Sequence, residues 1–347
     1  MDKVTTHAAV NAKVRAMKGE FLTDDDYEKM LNMRSVFDVV RYLKENTSYK
    51  KLLSGMPSEN VSRRDLESIL KRNMIINIDR IIHYYRGDYR DFIKALYIKY
   101  EIEDLKRLAR AIFNGSDLDE YKNLFVFIGK YSGIDPAKIF ASRSIGQLIQ
   151  NMEGSDFYPY LKPLLEGRRD NLFYYEMAID MAYFSIIQKH WQKLSKDDRE
   201  ALEELEGTIA DLYNLQWIYR GMKFYRLSPE ELLNYTMDLG RRLTYRDRRA
   251  LCYARSLDEL YSMTMETPYA FLFNKDTTRD IYMERRINRY IFYTLKKIEK
   301  SVQLNIIHVV AYVLLLEFEI RDIISIVESI RYGMPVEEAR KFLIREL

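Results

Sequence analysis

The stretch Arg34-Ser35-Val36-Phe37-Asp38-Val39, followed by Tyr49-Lys50-Lys51-Leu52, occurs in this chain three times in recognisable form. The second copy reads Arg143-Ser144-Ile145-Gly146-Gln147-Leu148, then Tyr158-Pro159-Tyr160-Leu161. The third reads Arg255-Ser256-Leu257-Asp258-Glu259-Leu260, then Tyr269-Ala270-Phe271-Leu272. Each copy has Arg-Ser-apolar, an acid or Gln three residues after the serine, and an apolar residue at the fourth. Tyr-x-x-Leu follows the serine by 14, 14 and 13 residues.

A second block keeps the same register. Glu101, Ile102, Asp104, Leu105 and Leu108 correspond to Asp211, Leu212, Asn214, Leu215 and Ile218, and then to Glu319, Ile320, Asp322, Ile323 and Ile326. The serine precedes the Asp or Asn by 69, 70 and 66 residues. The period is about 110 residues, which is the size of a domain rather than of a short solenoid repeat. We divide the chain into copies at 1–115, 116–227 and 228–347.

The copies read as helical. Gly (13) and Pro (7) are scarce in 347 residues, against average usage of about 7% and about 5%. All-β architectures need these residues in their turns. Ser35/Asp38, Ser144/Gln147 and Ser256/Glu259 have the spacing of a capping box, so a short helix is expected after each Arg-Ser. Further helix starts are expected at Thr23/Asp26, Ser62/Asp65, Asp135-Pro136, Ser195/Asp198 and Ser228-Pro229 with Glu231. Apolar residues then recur at helical spacing over Leu66–Tyr85 and Leu172–His190. Arg279–Glu317 lacks Gly and Pro and reads as one very long helix. Phe125–Ile128 has strand-like composition, but its place before the short helices favours helix. The expected fold is all-α: three related domains, each with short helices and a long helical hairpin.

Several functions are disfavoured. Lys+Arg number 55 and Asp+Glu 52, a net charge of +3 with mixed signs, and there is no basic tail of the kind that binds nucleic acid. No phosphate-cradling loop of the G-x-x-x-x-G-K-[ST] type is present, so no nucleotide site is expected. His7, His83, His190 and His308 are scattered and none forms a metal-binding motif; no metal or cofactor is expected. Cys252 is expected to be a buried, inert thiol in a reducing compartment. The first twenty residues lack the apolar core of a signal peptide. The most apolar run, Leu304–Leu316, is shorter than the roughly 20 residues of a membrane span and reads as a buried helix.

Three sets of positions stand out. The serines are explained as caps, but the arginines before them, Arg34, Arg143 and Arg255, are not. A helix N-terminus does not favour a cation, so each arginine needs either a structural carboxylate on a neighbouring helix or a partner outside the chain. The structural pair is the favoured expectation. Tyr49, Tyr158 and Tyr269 belong to an unusually large set of 28 tyrosines, a residue enriched at interfaces. Asp104, Asn214 and Asp322 are polar in otherwise apolar blocks, consistent with a polar lining of a hole between domains or with a buried helix–helix hydrogen bond.

Asn11-Ala12-Lys13-Val14-Arg15-Ala16-Met17-Lys18, taken with the threefold Arg-Ser and Tyr-x-x-Leu pattern, resembles the C subunit of archaeal and bacterial V/A-type ATP synthases, the family to which the d subunit of eukaryotic vacuolar ATPases belongs. His7-Ala8-Ala9-Val10 stands where that family tends to have aromatic residues. The resemblance implies a funnel-like, pseudo-threefold, non-catalytic rotor component without a cofactor. It implies the D and F subunits of the central shaft and the membrane proteolipid ring as partners, a place on the cytoplasmic face of the cell membrane, and a part in proton or sodium translocation. A soluble helical adaptor and a helical enzyme with an unrecognised site are the alternatives that the residues leave open.

Overall fold

A computed structural model describes residues 3–56, 61–118, 125–166, 172–273 and 282–347. Among these residues there are 17 α-helices and no strand. In chain order they are α1 (Lys3–Lys18), α2 (Asp24–Leu31), α3 (Val36–Asn46), α4 (Lys50–Leu53), α5 (Arg63–Ile82), α6 (Gly87–Phe113), α7 (Pro136–Phe140), α8 (Ile145–Gln150), α9 (Tyr158–Glu166), α10 (Leu172–Trp191), α11 (Lys196–Arg220), α12 (Pro229–Asn234), α13 (Tyr245–Cys252), α14 (Leu257–Met265), α15 (Met283–Ser301), α16 (Ile307–Arg331) and α17 (Val336–Phe342). The all-α expectation holds.

Side-chain caps start these helices where the spacing placed them. Ser35 Oγ accepts the amide of Asp38 at 3.1 Å, Ser144 Oγ that of Gln147 at 3.2 Å, and Ser256 Oγ that of Glu259 at 3.1 Å. Thr23, Ser62, Asp135, Ser195 and Ser228 cap α2, α5, α7, α11 and α12 in the same way. Each such cap contributes about 1 kcal/mol by satisfying an amide with no partner inside its helix.

Two local expectations are overturned. Arg279–Glu317 is not one helix: its described part is α15 and the first half of α16, separated at 302–306. Leu304 adopts φ +45°, and Asn305 turns the chain by accepting the Ile307 amide at 2.9 Å. An unbroken 39-residue helix would extend about 58 Å and leave the apolar residues of α16 without cover. The break lets α15 pack back on α16. Phe125–Ile128 is neither helix nor strand but a loop. Gly129 at φ +84° ends it, a conformation that L side chains rarely adopt, and its amides bond to side chains described below.

The chain forms two compact units. The first comprises residues 1–84 and 265–347. Its axis is α16, which is buried on nearly all sides (Val309, Val310, Val313, Leu316, Ile320, Ile323, Val327) and packs against α1, α5 and α15. The short helices α2 and α3 also rest on α16, and α17 rests on α2. The second unit comprises residues 85–264. There α6 packs along α10, α10 against α9 and α11, α8 against α6, and α12 against α13. Among the described residues, no helix is long and apolar enough to cross a membrane.

Candidate functional site

Each long helix that carries the second repeated block holds two polar side chains three residues apart, on one face of the helix. Asp104 on α6 accepts the Phe127 amide at 2.9 Å. Asn214 on α11 accepts the Met237 amide at 2.8 Å and donates to the Met237 carbonyl at 2.9 Å. Asp322 on α16 accepts the Ile344 amide at 2.7 Å and the Arg345 amide at 3.2 Å. The amide lies 23, 23 and 22 residues after the side chain that receives it, so the three copies make one clasp.

The residue one turn earlier makes a second clasp. Glu101 accepts the Gly129 amide at 2.5 Å and the Ser132 hydroxyl at 2.6 Å. Asp211 accepts the amides of Arg241, Arg242 and Leu243 at 3.0, 2.7 and 3.3 Å. Gly240 lets the loop come this close, because a Cβ there would stand 2.4 Å from Asp211 Oδ1. Glu319 accepts the Leu22 amide at 2.8 Å and the Tyr49 hydroxyl at 2.7 Å. In copies 1 and 2 the clasped loop leads into the next copy's short helices. In copy 3 it is the loop entering α2, so the last long helix holds the short helices of the first copy. Arg345 strengthens that closure by donating to the Leu22 carbonyl at 3.1 Å and pairing with Asp24 at 2.8 Å.

All six side chains are buried. A buried carboxyl group is tolerated only when bonded, and a buried loop amide likewise; each clasp gives the side chain at least one donor and the loop amide an acceptor. Burial pushes Glu101 up to about 7, Asp104 to about 8, Glu319 to about 7 and Asp322 to about 6, while the amides and hydroxyls that bond them pull the other way. Asp104, Asn214 and Asp322 are thus loop anchors rather than a solvent-facing lining or a helix–helix bond. The repeat by itself assigns no role to their neighbours Glu101, Asp211 and Glu319. The signal for them is an acid at the same position of all three copies, in a helix face otherwise apolar.

Tyr49 and Tyr269 are buried, each ahead of a short helical turn, and their amides bond Thr47 and Thr267 hydroxyls at 3.2 and 3.1 Å. In copy 2 the buried aromatic is Phe157, and Tyr158 beside it is half-buried. The arginines differ from the favoured expectation. Arg34, Arg143 and Arg255 are exposed, and among the described residues none of their guanidiniums forms an ion pair. They stand one residue outside a helix cap, where the side chain projects into water. Two of their backbones take part in capping: the Arg143 amide donates to Gln147 Oε1 at 2.8 Å and the Arg255 amide to Glu259 Oε2 at 2.6 Å.

No group of three or more His, Cys, Asp or Glu side chains among the described residues is arranged to hold a metal. Cys252 is buried at the end of α13, and burial pushes its thiol up to about 12, far from a reactive thiolate. His308 sits between Glu299 and the Val302 carbonyl at 3.3 and 3.2 Å, at the α15–α16 break.

The family model described as ATP synthase (C/AC39) subunit matches residues 10–342. The C subunit of the A-type ATP synthase of Methanosarcina acetivorans is 22% identical over 310 residues, covering 89% of this chain and 85% of that protein. Its counterpart in Methanocaldococcus jannaschii is 22% identical over 346 residues, covering 97% and 86%. The counterpart in Archaeoglobus fulgidus is 23% identical over 345 residues, covering 97% and 96%.

Proposed function

The chain belongs to the ATP synthase C/AC39 subunit family, and on that premise we propose that it is the central-stalk socket of an A-type rotary ATP synthase. It is a structural component of that assembly rather than a catalytic one. In this reading one side receives the shaft made by the D and F subunits and the other sits on the proteolipid ring, at the cytoplasmic face of the membrane. It passes torque between ATP chemistry and proton or sodium movement, without binding nucleotide or metal itself. The copies 1–115, 116–227 and 228–347 are the three parts of a pseudo-threefold funnel.

The observation that carries the reading is the family match along nearly the whole chain, 10–342. The clasps support it physically. A part that transmits torque must not shear between its segments, and six buried side chains, two on each long helix, tie that helix to loops by hydrogen bonds to carboxyl or amide groups. Each bond contributes roughly 0.5–1.5 kcal/mol, and roughly 1.5–3 kcal/mol where the acid is ionised. Purifying the ATP synthase from native membranes tests the proposal. The chain is expected in the complex with the D and F subunits and the proteolipid. Its removal is expected to leave ATP hydrolysis by the head intact while abolishing ion movement coupled to it. A fully coupled complex that lacks the chain overturns the reading.

A further inference from the structure

The helices that precede Arg34-Ser35 and Arg255-Ser256 are α2 and α13. Each is eight residues long, each begins at a threonine cap (Thr23, Thr244), and each closes its capping box with an aspartate (Asp26, Asp247). From cap to Arg-Ser they align without a gap. Their charges are opposite, and so is the way those charges are balanced.

On α2 the acids are neutralised inside the chain. Asp24 pairs with Arg345 at 2.8 Å, Asp25 with Lys29 at 2.5 Å, and Glu28 with Arg340. Asp26 is bonded by Thr23 and Tyr42. On and beside α13, residues 241–255 contain six arginines, one acid and no lysine. Arg241 pairs with Glu204 at 2.5 Å and the buried Arg248 with Asp238. Arg242, Arg246, Arg249 and Arg255 are exposed, and among the described residues none of these four lies within ion-pairing distance of a carboxylate. Two tyrosines flank them. Tyr245 is 59% exposed, and the Arg249 guanidinium lies 5.3 Å from the exposed Tyr253 ring.

We propose that the exposed face of α13, with Arg242, Arg246, Arg249 and Tyr245, docks an acidic segment of another subunit of the ATP synthase. The proposal rests on the reading above for the source of its partner. The chemistry is that of complementary charge: guanidinium forks meet carboxylates in pairs, and tyrosine supplies broad contact with a polar edge. Guanidinium forks pair with phosphate as well as with carboxylate, but arginine and tyrosine without lysine is the composition enriched at protein interfaces, which favours an acidic protein segment over anionic headgroups. The equivalent helix α2 has no arginine and its acids are paired within the chain, so it offers an acidic segment no comparable attraction. Docking therefore distinguishes copy 3 from copy 1.

The test replaces the chain in its native host by an Arg246→Glu/Arg249→Glu variant and, separately, by Arg246→Lys/Arg249→Lys. The purified complexes are washed at rising salt, and a photo-crosslinker placed at Tyr245 of the otherwise unchanged chain reports what it touches. The glutamate variant is expected to melt like the wild type in isolation yet to be retained about tenfold less, with the lysine variant between them. The crosslinked peptide is expected to be rich in Asp and Glu. Should the double variant melt early, the single Arg242→Glu variant, outside the helix, gives the same readout. Retention equal to wild type, or a crosslink to lipid or to a peptide without acids, overturns the docking surface alone. A wild-type chain absent from the complex overturns both this proposal and the functional reading beneath it.

Discussion

Glu319 in α16 accepts the backbone amide of Leu22 at 2.8 Å, across 297 residues of sequence. The same carboxylate takes the Tyr49 hydroxyl at 2.7 Å. One side chain thus holds both the entry to α2 and the aromatic before α4 against the last long helix. Removing it leaves two buried donors without an acceptor.

Glu319→Ala is expected to destabilise the chain by about 3–5 kcal/mol, the cost of stranding buried polar partners. Tyr49→Phe removes only one donor and is expected to cost about 1–2 kcal/mol. Urea unfolding of both singles and the double measures this, with the double costing less than the sum because the two share a bond. Strict additivity would show that the pair does not interact.

Gly240→Ala tests the clasp of copy 2 from the loop side. The added methyl would stand 2.4 Å from Asp211 Oδ1 and 2.5 Å from the Leu243 carbonyl, so the loop must retreat and lengthen the three amide bonds to Asp211. A loss of about 2–4 kcal/mol is expected. A neutral effect in thermal unfolding would mean that the loop is not held by Asp211.

Stability is expected to fall as pH rises. Burial pushes Glu206 on α11 up to about 7 from 4.5, and its Oε2 has no hydrogen-bond partner among the described residues. The folded chain therefore keeps a proton that the unfolded chain releases. This contribution is full below about pH 4.5, declines by about 1.4 kcal/mol per unit up to about pH 7, and is level above that. Glu101, Asp104, Glu319 and Asp322 act with the same sign. The urea midpoint should be lower at about pH 8 than at about pH 5, and Glu206→Gln should raise it at the higher pH only. An unchanged pH dependence in that variant contradicts the assignment.

Replacing Arg34, Arg143 or Arg255 by alanine should change stability by less than about 0.5 kcal/mol each, since their guanidiniums lie at the surface, unpaired among the described residues. Loss of co-purification with the rotor at unchanged melting would assign the position to assembly. A drop of several degrees in melting temperature would restore the structural ion pair.

The helices and their starts were legible because their causes are local. A serine three residues before an acid, or a proline after an aspartate, satisfies helix-end amides wherever it occurs, and the caps at Ser35, Ser144 and Ser256 follow from that alone. The triplication was legible because two separate blocks keep one spacing. What Asp104, Asn214 and Asp322 do was not legible, because each bonds an amide 22 or 23 residues away in a loop whose path no periodicity records. The break between α15 and α16 was hidden for a related reason. No Gly or Pro marks it, and it exists because α16 must be covered by its neighbours. Spacing along the chain alone determined where α2, α3, α5, α7, α8, α11, α12 and α14 begin and that two blocks of the sequence recur three times. Only the tertiary structure decided which loop each buried carboxylate holds and that the last long helix closes on the first short ones, because burial, not chain proximity, determines where an unpaired amide must find its acceptor.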